Sequence, residues 1–104
     1  MPEDRTLRDA VGPVFHAGTM ASAVVAAIEE ENENVTIVDR GAYVRVLVPA
    51  RCRVTRAAIE RHIGRSIALR PELERIMTSF KGRIDITMDD VTWVSGPLGH
   101  ERKP

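Results

Sequence analysis

The stretch "NVTIVDRGAYVRVLVP", residues 34–49, decides the fold class because its apolar and polar residues alternate. Two alternating runs flank residues 39–41, whose Asp-Arg-Gly sequence is typical of a tight turn. Alternation with a period of two indicates strands that bury one face. On the second strand, Tyr43, Arg45 and Leu47 project from the face opposite the valines. We therefore predict a β-hairpin within an antiparallel sheet.

Upstream of this hairpin, the sequence predicts a strand followed by a helix. Residues 11–16, "VGPVFH", form the strand, which tolerates Pro13 only near an edge or at its start. Thr19 is the natural N-cap of the helix, which we expect to run to about Glu30. Its apolar face has helical spacing and consists of Met20, Ala23, Val24, Ala27 and Ile28.

The predicted helix ends in an acidic segment, "EEEN", at residues 29–32. Carboxylates at a helix C-terminus oppose the helix dipole at a cost of a few tenths of a kcal/mol each. Two interpretations stay open: a frayed end in solvent, or compensation by a basic surface of a partner.

Downstream of the hairpin, the sequence predicts two further helices and a second hairpin. Residues 51–54, "RCRV", are a short strand or an extended link. Thr55 can cap the second helix and Gly64 can end it. Pro71 suits the first turn of a third helix. The apolar face of that helix is expected to comprise Leu73, Ile76, Met77 and Phe80.

These elements give the order β-α-β-β, then an optional strand, then α-α-β-β. The second hairpin spans residues 83–95, "RIDITMDDVTWVS", with an Asp-Asp turn. We predict one α+β domain over residues 11–95, in which antiparallel sheets pack with three helices. Residues 1–10 and 96–104 are expected to be flexible tails.

Composition argues against partners that bind through a global charge or through many aromatic rings. The chain has 15 basic and 15 acidic side chains and a net charge of +0. Its aromatic residues are two Phe, one Tyr and one Trp. Neither feature is typical of nucleic-acid binding. Without a signal peptide or an apolar run of roughly 20 residues, we expect a cytoplasmic protein with no membrane span.

The candidate reactive side chains do not assemble into a known catalytic pattern. His16, His62 and His100 lack metal-ligand spacing, and no phosphate-binding loop or nucleophile elbow occurs. Cys52, the single cysteine, lies between two arginines, which either lowers its thiol pKa or merely flanks a buried strand residue. We expect no catalytic residues, no metal site and no cofactor.

The segment "MTSFKGRIDI", residues 77–86, permits a structural and a functional interpretation. Phe80 extends the apolar stripe of the third helix, and Gly82 allows a positive φ after it. That interpretation leaves Thr78, Ser79 and Lys81 unexplained. Small hydroxyl side chains allow another protein to approach closely, so these three are candidates for contact with a partner.

Four segments together resemble a known family. They are "VGPVFHAG", "VDRGAYVRV", "TRAAIERHIGRSI" and "ELERIMTSFKGRIDITMDDVTWV", which span most of residues 11–95. They resemble the effector, or coupling, proteins of bacterial multicomponent diiron monooxygenases, and most of all the short effectors of toluene and alkene systems. The resemblance implies a cofactor-free protein that docks on a diiron hydroxylase, reshapes its active site and couples electron and oxygen use to substrate oxidation.

The resemblance also implies partners and contact residues. A Rieske ferredoxin and a flavin reductase would belong to the same system, and the free effector is expected to be a monomer. Aromatic and alkene substrates are equally consistent with the sequence. The residues expected to bind the hydroxylase are Thr78, Ser79, Lys81 and Gly82 after the third helix, with Arg40, Tyr43 and Arg45 on the hairpin. Phe80, Trp93 and Gly64 are expected to be structural.

A different class of function stays open beside this one. A small-molecule-sensing domain of β-α-β-β type would dimerise and hold a ligand at the junction of sheet and helix.

Overall fold

The computed structural model describes residues 9–96 and has the α+β architecture that the sequence predicts. Three helices and seven strands occur within these residues. In chain order they are β1 (Ala10–His16), α1 (Thr19–Glu31), β2 (Thr36–Asp39), β3 (Tyr43–Pro49), β4 (Arg51–Thr55), α2 (Arg56–Ile63), α3 (Leu69–Ile76), β5 (Met77–Lys81), β6 (Arg83–Ile86) and β7 (Asp90–Val94). The predicted tails lie largely outside the described residues. Ala10, which was assigned to the first tail, is buried and begins β1.

The strands form two antiparallel sheets. The first has the order β2-β3-β1-β5 and the second the order β4-β7-β6. Residues 51–54, which were predicted to be a short strand or an extended link, therefore belong to a strand. This strand, β4, pairs with β7. The structure adds β5, which the sequence did not predict, and β5 completes the first sheet at its edge.

The position of β1 corrects the prediction that Pro13 lies near a sheet edge or at the start of its strand, because Pro13 is the middle residue of this inner strand. β1 lies inside the first sheet, with β3 on one side and β5 on the other. Its ladder with β3 is bridged at Val11 and Val14 but not at Gly12 and Pro13. Proline is tolerated at such an irregularity because no regular ladder bond there needs its missing N–H. Gly12 has φ +146, and a Cβ on it would lie 2.2 Å from the carbonyl oxygen of Val46.

One hydrophobic core joins the inner faces of both sheets to the helices. Trp93 is the largest fully buried side chain, which agrees with the structural role expected for it. The other large side chains in the core include Phe15, Ile28, Ile59 and Leu73. Because burial removes apolar surface from water, this core is the main source of folding free energy.

The helix ends confirm two of the three predicted caps. The Thr55 hydroxyl accepts a hydrogen bond from the Ala58 amide at 3.2 Å and caps α2. Gly64 ends α2 in the left-handed conformation, with φ 83. The predicted N-cap at Thr19 is wrong. Gly18 occupies that position with an extended backbone and Thr19 is already helical.

The acidic end of α1 is compensated within the chain, which neither open interpretation had foreseen. Arg61 donates a hydrogen bond to Glu30 at 2.9 Å, and the His62 Nε2 lies 2.9 Å from the other oxygen of the same carboxylate. Glu31 accepts hydrogen bonds from the Thr55 amide and hydroxyl, both at 2.8 Å. The hydrogen bonds of His62 and Arg61 lower the pKa of Glu30. These contacts tie the end of α1 to α2.

Candidate functional site

The face of the first sheet that points away from the core brings the two predicted contact regions together. We call it the outer face, and on β3 it carries Tyr43, Arg45 and Leu47. Val14 of β1 pairs with Arg45 of β3 on one side and with Ser79 of β5 on the other. Cross-strand neighbours on one face have Cβ atoms about 5 Å apart. The hairpin and the segment after α3, which are far apart in sequence, therefore form one surface.

The aromatic part of the outer face lies at the end of β1. His16 pairs with Tyr43, and their ring centroids are 5.3 Å apart. Tyr43 keeps 45% of its surface exposed. An exposed tyrosine beside an arginine is a common arrangement in protein interfaces.

A small hollow lies in the middle of the outer face. Its volume is about 50 Å³. Gly12 and Val14 of β1 form its floor, and side chains of β3 and β5 surround it. The lining residues are Gly12, Val14, Arg45, Leu47, Ser79, Phe80 and Lys81.

Three predicted contact residues lie at the margins of this surface and have structural tasks. The Arg40 amide donates to the Tyr43 carbonyl at 2.8 Å and closes the hairpin turn. Thr78 is the extra residue of a β-bulge, and its hydroxyl donates to the Val14 carbonyl at 3.2 Å. Gly82 has φ +104, and a Cβ there would lie 2.7 Å from Val11 Cγ1. Close packing between the two sheets thus accounts for Gly82 without a partner.

The structure corrects the prediction that Phe80 continues the apolar face of the third helix. The helix α3 ends at Ile76, and residues 77–81 are the strand β5. Phe80 pairs with Pro13 and remains 42% exposed, since β5 is the edge strand of its sheet. It borders the hollow at the sheet edge, while strand alternation directs its ring to the face opposite Ser79 and Lys81, where it stays half exposed and outside the buried core.

Several residues of the outer face were not predicted from the sequence. His16, Val14 and Gly12 of β1 contribute to it, as does Leu47, for which only the direction was predicted. The signal for β1 was available, because Val11 and Phe15 are apolar and alternate with Val14 and His16 across the strand. Val14 is itself apolar and Gly12 and Pro13 lie beside it, so the alternation is hard to recognise in the sequence.

The structure places the single cysteine, Cys52, in the core. Cys52 is fully buried, and burial raises the pKa of its thiol to about 12. Of its two interpretations, the buried strand residue is confirmed. Within residues 9–96 no group of three or more His, Cys, Asp or Glu side chains is arranged to hold a metal ion. In the same residues no helix is long and apolar enough to cross a membrane.

A model of the MmoB/DmpM family matches residues 9–94. The chain belongs to the MmoB/DmpM family. The family resemblance that the sequence suggested is thereby confirmed.

The relatives of this MmoB/DmpM member are similar along most of its length. It is 42% identical over 85 residues to "Alkene monooxygenase system, effector subunit" of Xanthobacter autotrophicus (strain ATCC BAA-1158 / Py2). That match covers 80% of this chain and 83% of the relative.

Two of the matching solved structures show how far the fold of this MmoB/DmpM member is shared. A chain in the structure of a phenol hydroxylase–regulatory protein complex matches with a TM-score of 0.75 and 21% identity, over 84% of this chain and 99% of that one. The regulatory protein B of soluble methane monooxygenase matches with a TM-score of 0.66 and 20% identity. This second match covers 91% of this chain and 71% of that one.

Proposed function

We propose that this protein is the effector subunit of a multicomponent monooxygenase and acts by binding the diiron hydroxylase of that system. The observation that carries the proposal is the similarity, over 80% of the chain, to a relative named as the effector subunit of an alkene monooxygenase system. The reaction served is hydroxylation or epoxidation of a hydrocarbon, and alkene epoxidation is the first to test. The protein itself performs no catalysis and carries no cofactor, and it works in the cytoplasm beside a Rieske ferredoxin and a flavin reductase.

The outer face is the proposed docking surface. It presents Tyr43 and Arg45, side-chain types that often dominate binding energy at interfaces. It also presents Ser79 and Lys81 from the edge strand. The helices pack on the opposite side of this sheet, so a large partner can reach the outer face without unfolding any element. A stable complex is expected to bury on the order of 1,600 Å² in total.

An effector without reactive groups can act only through differential binding. It must bind one conformation of the hydroxylase more tightly than the others, and its influence cannot exceed that difference in affinity. A coupling free energy of about 1–3 kcal/mol corresponds to roughly 5–150-fold in affinity. The proposed coupling of electron and oxygen use to product formation is the outcome of that conformational preference.

Titration of the purified hydroxylase, ferredoxin and reductase with this protein tests the proposal. Product formed per NADH and per oxygen consumed should rise and then saturate as the protein is added. No change in rate or in that ratio at saturating protein would contradict the proposal. Turnover of substrate by the protein alone would contradict its non-catalytic role.

Two variants that introduce tryptophan on different sheets test whether the outer face is the docking surface. Ser79→Trp puts a large side chain on the outer face, whereas Thr92→Trp puts one on the outward side of the second sheet, between the buried Val91 and Trp93. Both variants should fold, but only Ser79→Trp should raise the concentration needed for half-maximal stimulation. Equal effects of the two variants would rule out the outer face as the docking surface.

A further inference from the structure

We propose that the hollow on the outer face receives one carboxylate side chain, an aspartate or a glutamate, of the hydroxylase. This inference rests on the proposed function and specifies the chemistry of its docking surface. Strand pairing fixes the shape of the hollow. Two residues of β1 form the floor of the hollow. Gly12 has no side chain, so Val14 supplies the only β1 side chain there. Arg45 and Leu47 form one wall, from β3.

The other wall comes from β5 and supplies a hydroxyl and a cation. Ser79 lies across from Val14, and Lys81 lies across from Gly12. The hollow therefore has a basic side chain on each side, Arg45 on β3 and Lys81 on β5. No acidic side chain lines it. A group that enters from a partner meets positive charge and a hydroxyl donor at the rim, and apolar surface at the floor.

Arg45 differs from most arginines of the described residues in its contacts. Arg53, Arg56 and Arg61 pair with carboxylates of this chain at 2.5–2.9 Å. Within residues 9–96, Arg45 makes no ion pair or hydrogen bond to another side chain. Its planar guanidinium can bind a carboxylate through two parallel hydrogen bonds. Its charge is thus available to a partner.

The size of the hollow selects among possible occupants. A volume of about 50 Å³ is small beside the roughly 300–1,000 Å³ of typical ligand pockets. A hollow of this size suits a small group, such as a carboxylate with part of its stem, better than a large aromatic ring. Val14 and Leu47 can pack against the methylene groups of the stem, and Ser79 can donate a hydrogen bond to a carboxylate oxygen.

Binding measurements on the full-length protein and the purified hydroxylase test this inference. The dissociation constant would be measured over a series of NaCl concentrations for the wild type and for Arg45→Gln, Lys81→Gln and Arg51→Gln. Arg51 is the matched control, since it is an exposed arginine on the outward side of the second sheet. Arg45→Gln should weaken binding about tenfold or more and make it less sensitive to salt. Arg51→Gln should leave both quantities unchanged.

A charge exchange identifies the occupant. Arg45→Glu should bind poorly to the wild-type hydroxylase and regain affinity when one interface carboxylate of the hydroxylase is replaced by lysine. If Arg45→Gln and Lys81→Gln bind like the wild type at every salt concentration, the carboxylate site is wrong while the effector function stands. If the wild-type protein neither binds nor stimulates the hydroxylase, both proposals fail. Circular dichroism of each variant confirms that the exposed substitutions leave the fold intact.

Discussion

Replacing Phe80 with alanine is expected to cost much less folding free energy than replacing Phe15. These are the only two phenylalanines of the chain, and both belong to the first sheet. Phe15 is 0% exposed, so Phe15→Ala removes a buried ring and leaves a cavity, at a cost of about 3–5 kcal/mol. Phe80 is 42% exposed, so only part of its transfer free energy, which is about 3 kcal/mol for full burial, is at stake.

Water can also occupy the space that the Phe80 ring leaves at the sheet edge, so no closed cavity adds to the cost. We therefore expect Phe80→Ala to lower the free energy of unfolding by about 1–2 kcal/mol. For a domain of this size, each kcal/mol lowers the melting temperature by roughly 4–8 °C. The costs of the two variants differ by about 1–4 kcal/mol, so their melting temperatures should differ by roughly 4–30 °C, with Phe15→Ala the lower.

The single tryptophan provides the assay. Trp93 is fully buried, so its fluorescence reports loss of the core during urea or thermal unfolding. Both variants would be compared with the wild type under the same conditions. If Phe80→Ala destabilises the protein as much as Phe15→Ala, then the Phe80 ring belongs to the core and its assignment to a half-exposed position at the sheet edge is wrong.

Three further predictions concern single residues in other parts of the fold. Gly82→Ala should lower the free energy of unfolding in urea by about 2–4 kcal/mol, because strain at a positive φ adds to crowding by Val11. Gly41 also has a positive φ, +81, but open space around it, so Gly41→Ala should cost only about 1 kcal/mol. Similar costs for the two variants would contradict the crowding. The Cys52 thiol, with a pKa of about 12, should resist alkylation at pH 8 until urea unfolds the protein, and stoichiometric labelling of the native state would contradict its burial. Because folding lowers the pKa of Glu30, its contribution to stability is present above the ordinary value of 4.5 and is lost as pH falls through the folded value. Glu30→Gln should therefore lose less stability than the wild type between about pH 5 and 3, as followed by acid titration of Trp93 fluorescence; equal losses would show that its ion pairs with α2 contribute nothing.

The hairpin at residues 34–49 was predictable because its fold is local. Alternation marked both strands, and the Asp-Arg-Gly segment marked the turn. In the structure the Asp39 carboxylate accepts a hydrogen bond from the Gly41 amide at 2.8 Å, which is a contact over two residues. Features decided by neighbours in sequence, such as the cap at Thr55 and the helix stop at Gly64, were predicted for the same reason.

The end of α1 was not predictable from its own residues. The acidic segment looked unfavourable because its neighbours in sequence offer no basic side chain in the last helical turn. The compensating groups, Arg61 and His62, lie on α2 and reach Glu30 only when the two helices pack. A sequence pattern can indicate that a charge needs a partner, but the tertiary fold decides where that partner comes from.

The strand β5 shows the same limit at the candidate site itself. Met77 and Phe80 continue the helical spacing of α3, so the local pattern favoured a longer helix. The chain instead leaves the helix after Ile76, and residues 77–81 pair with β1, more than sixty positions earlier. That pairing satisfies the backbone hydrogen-bonding groups on the free edge of β1. It also makes residues 77–81 a strand, so their side chains follow the strand and not the helical pattern. The hollow between Arg45 and Lys81 exists only because of this long-range pairing. Contact residues could therefore be proposed from the sequence, while the shape and charge of the surface they form required the fold.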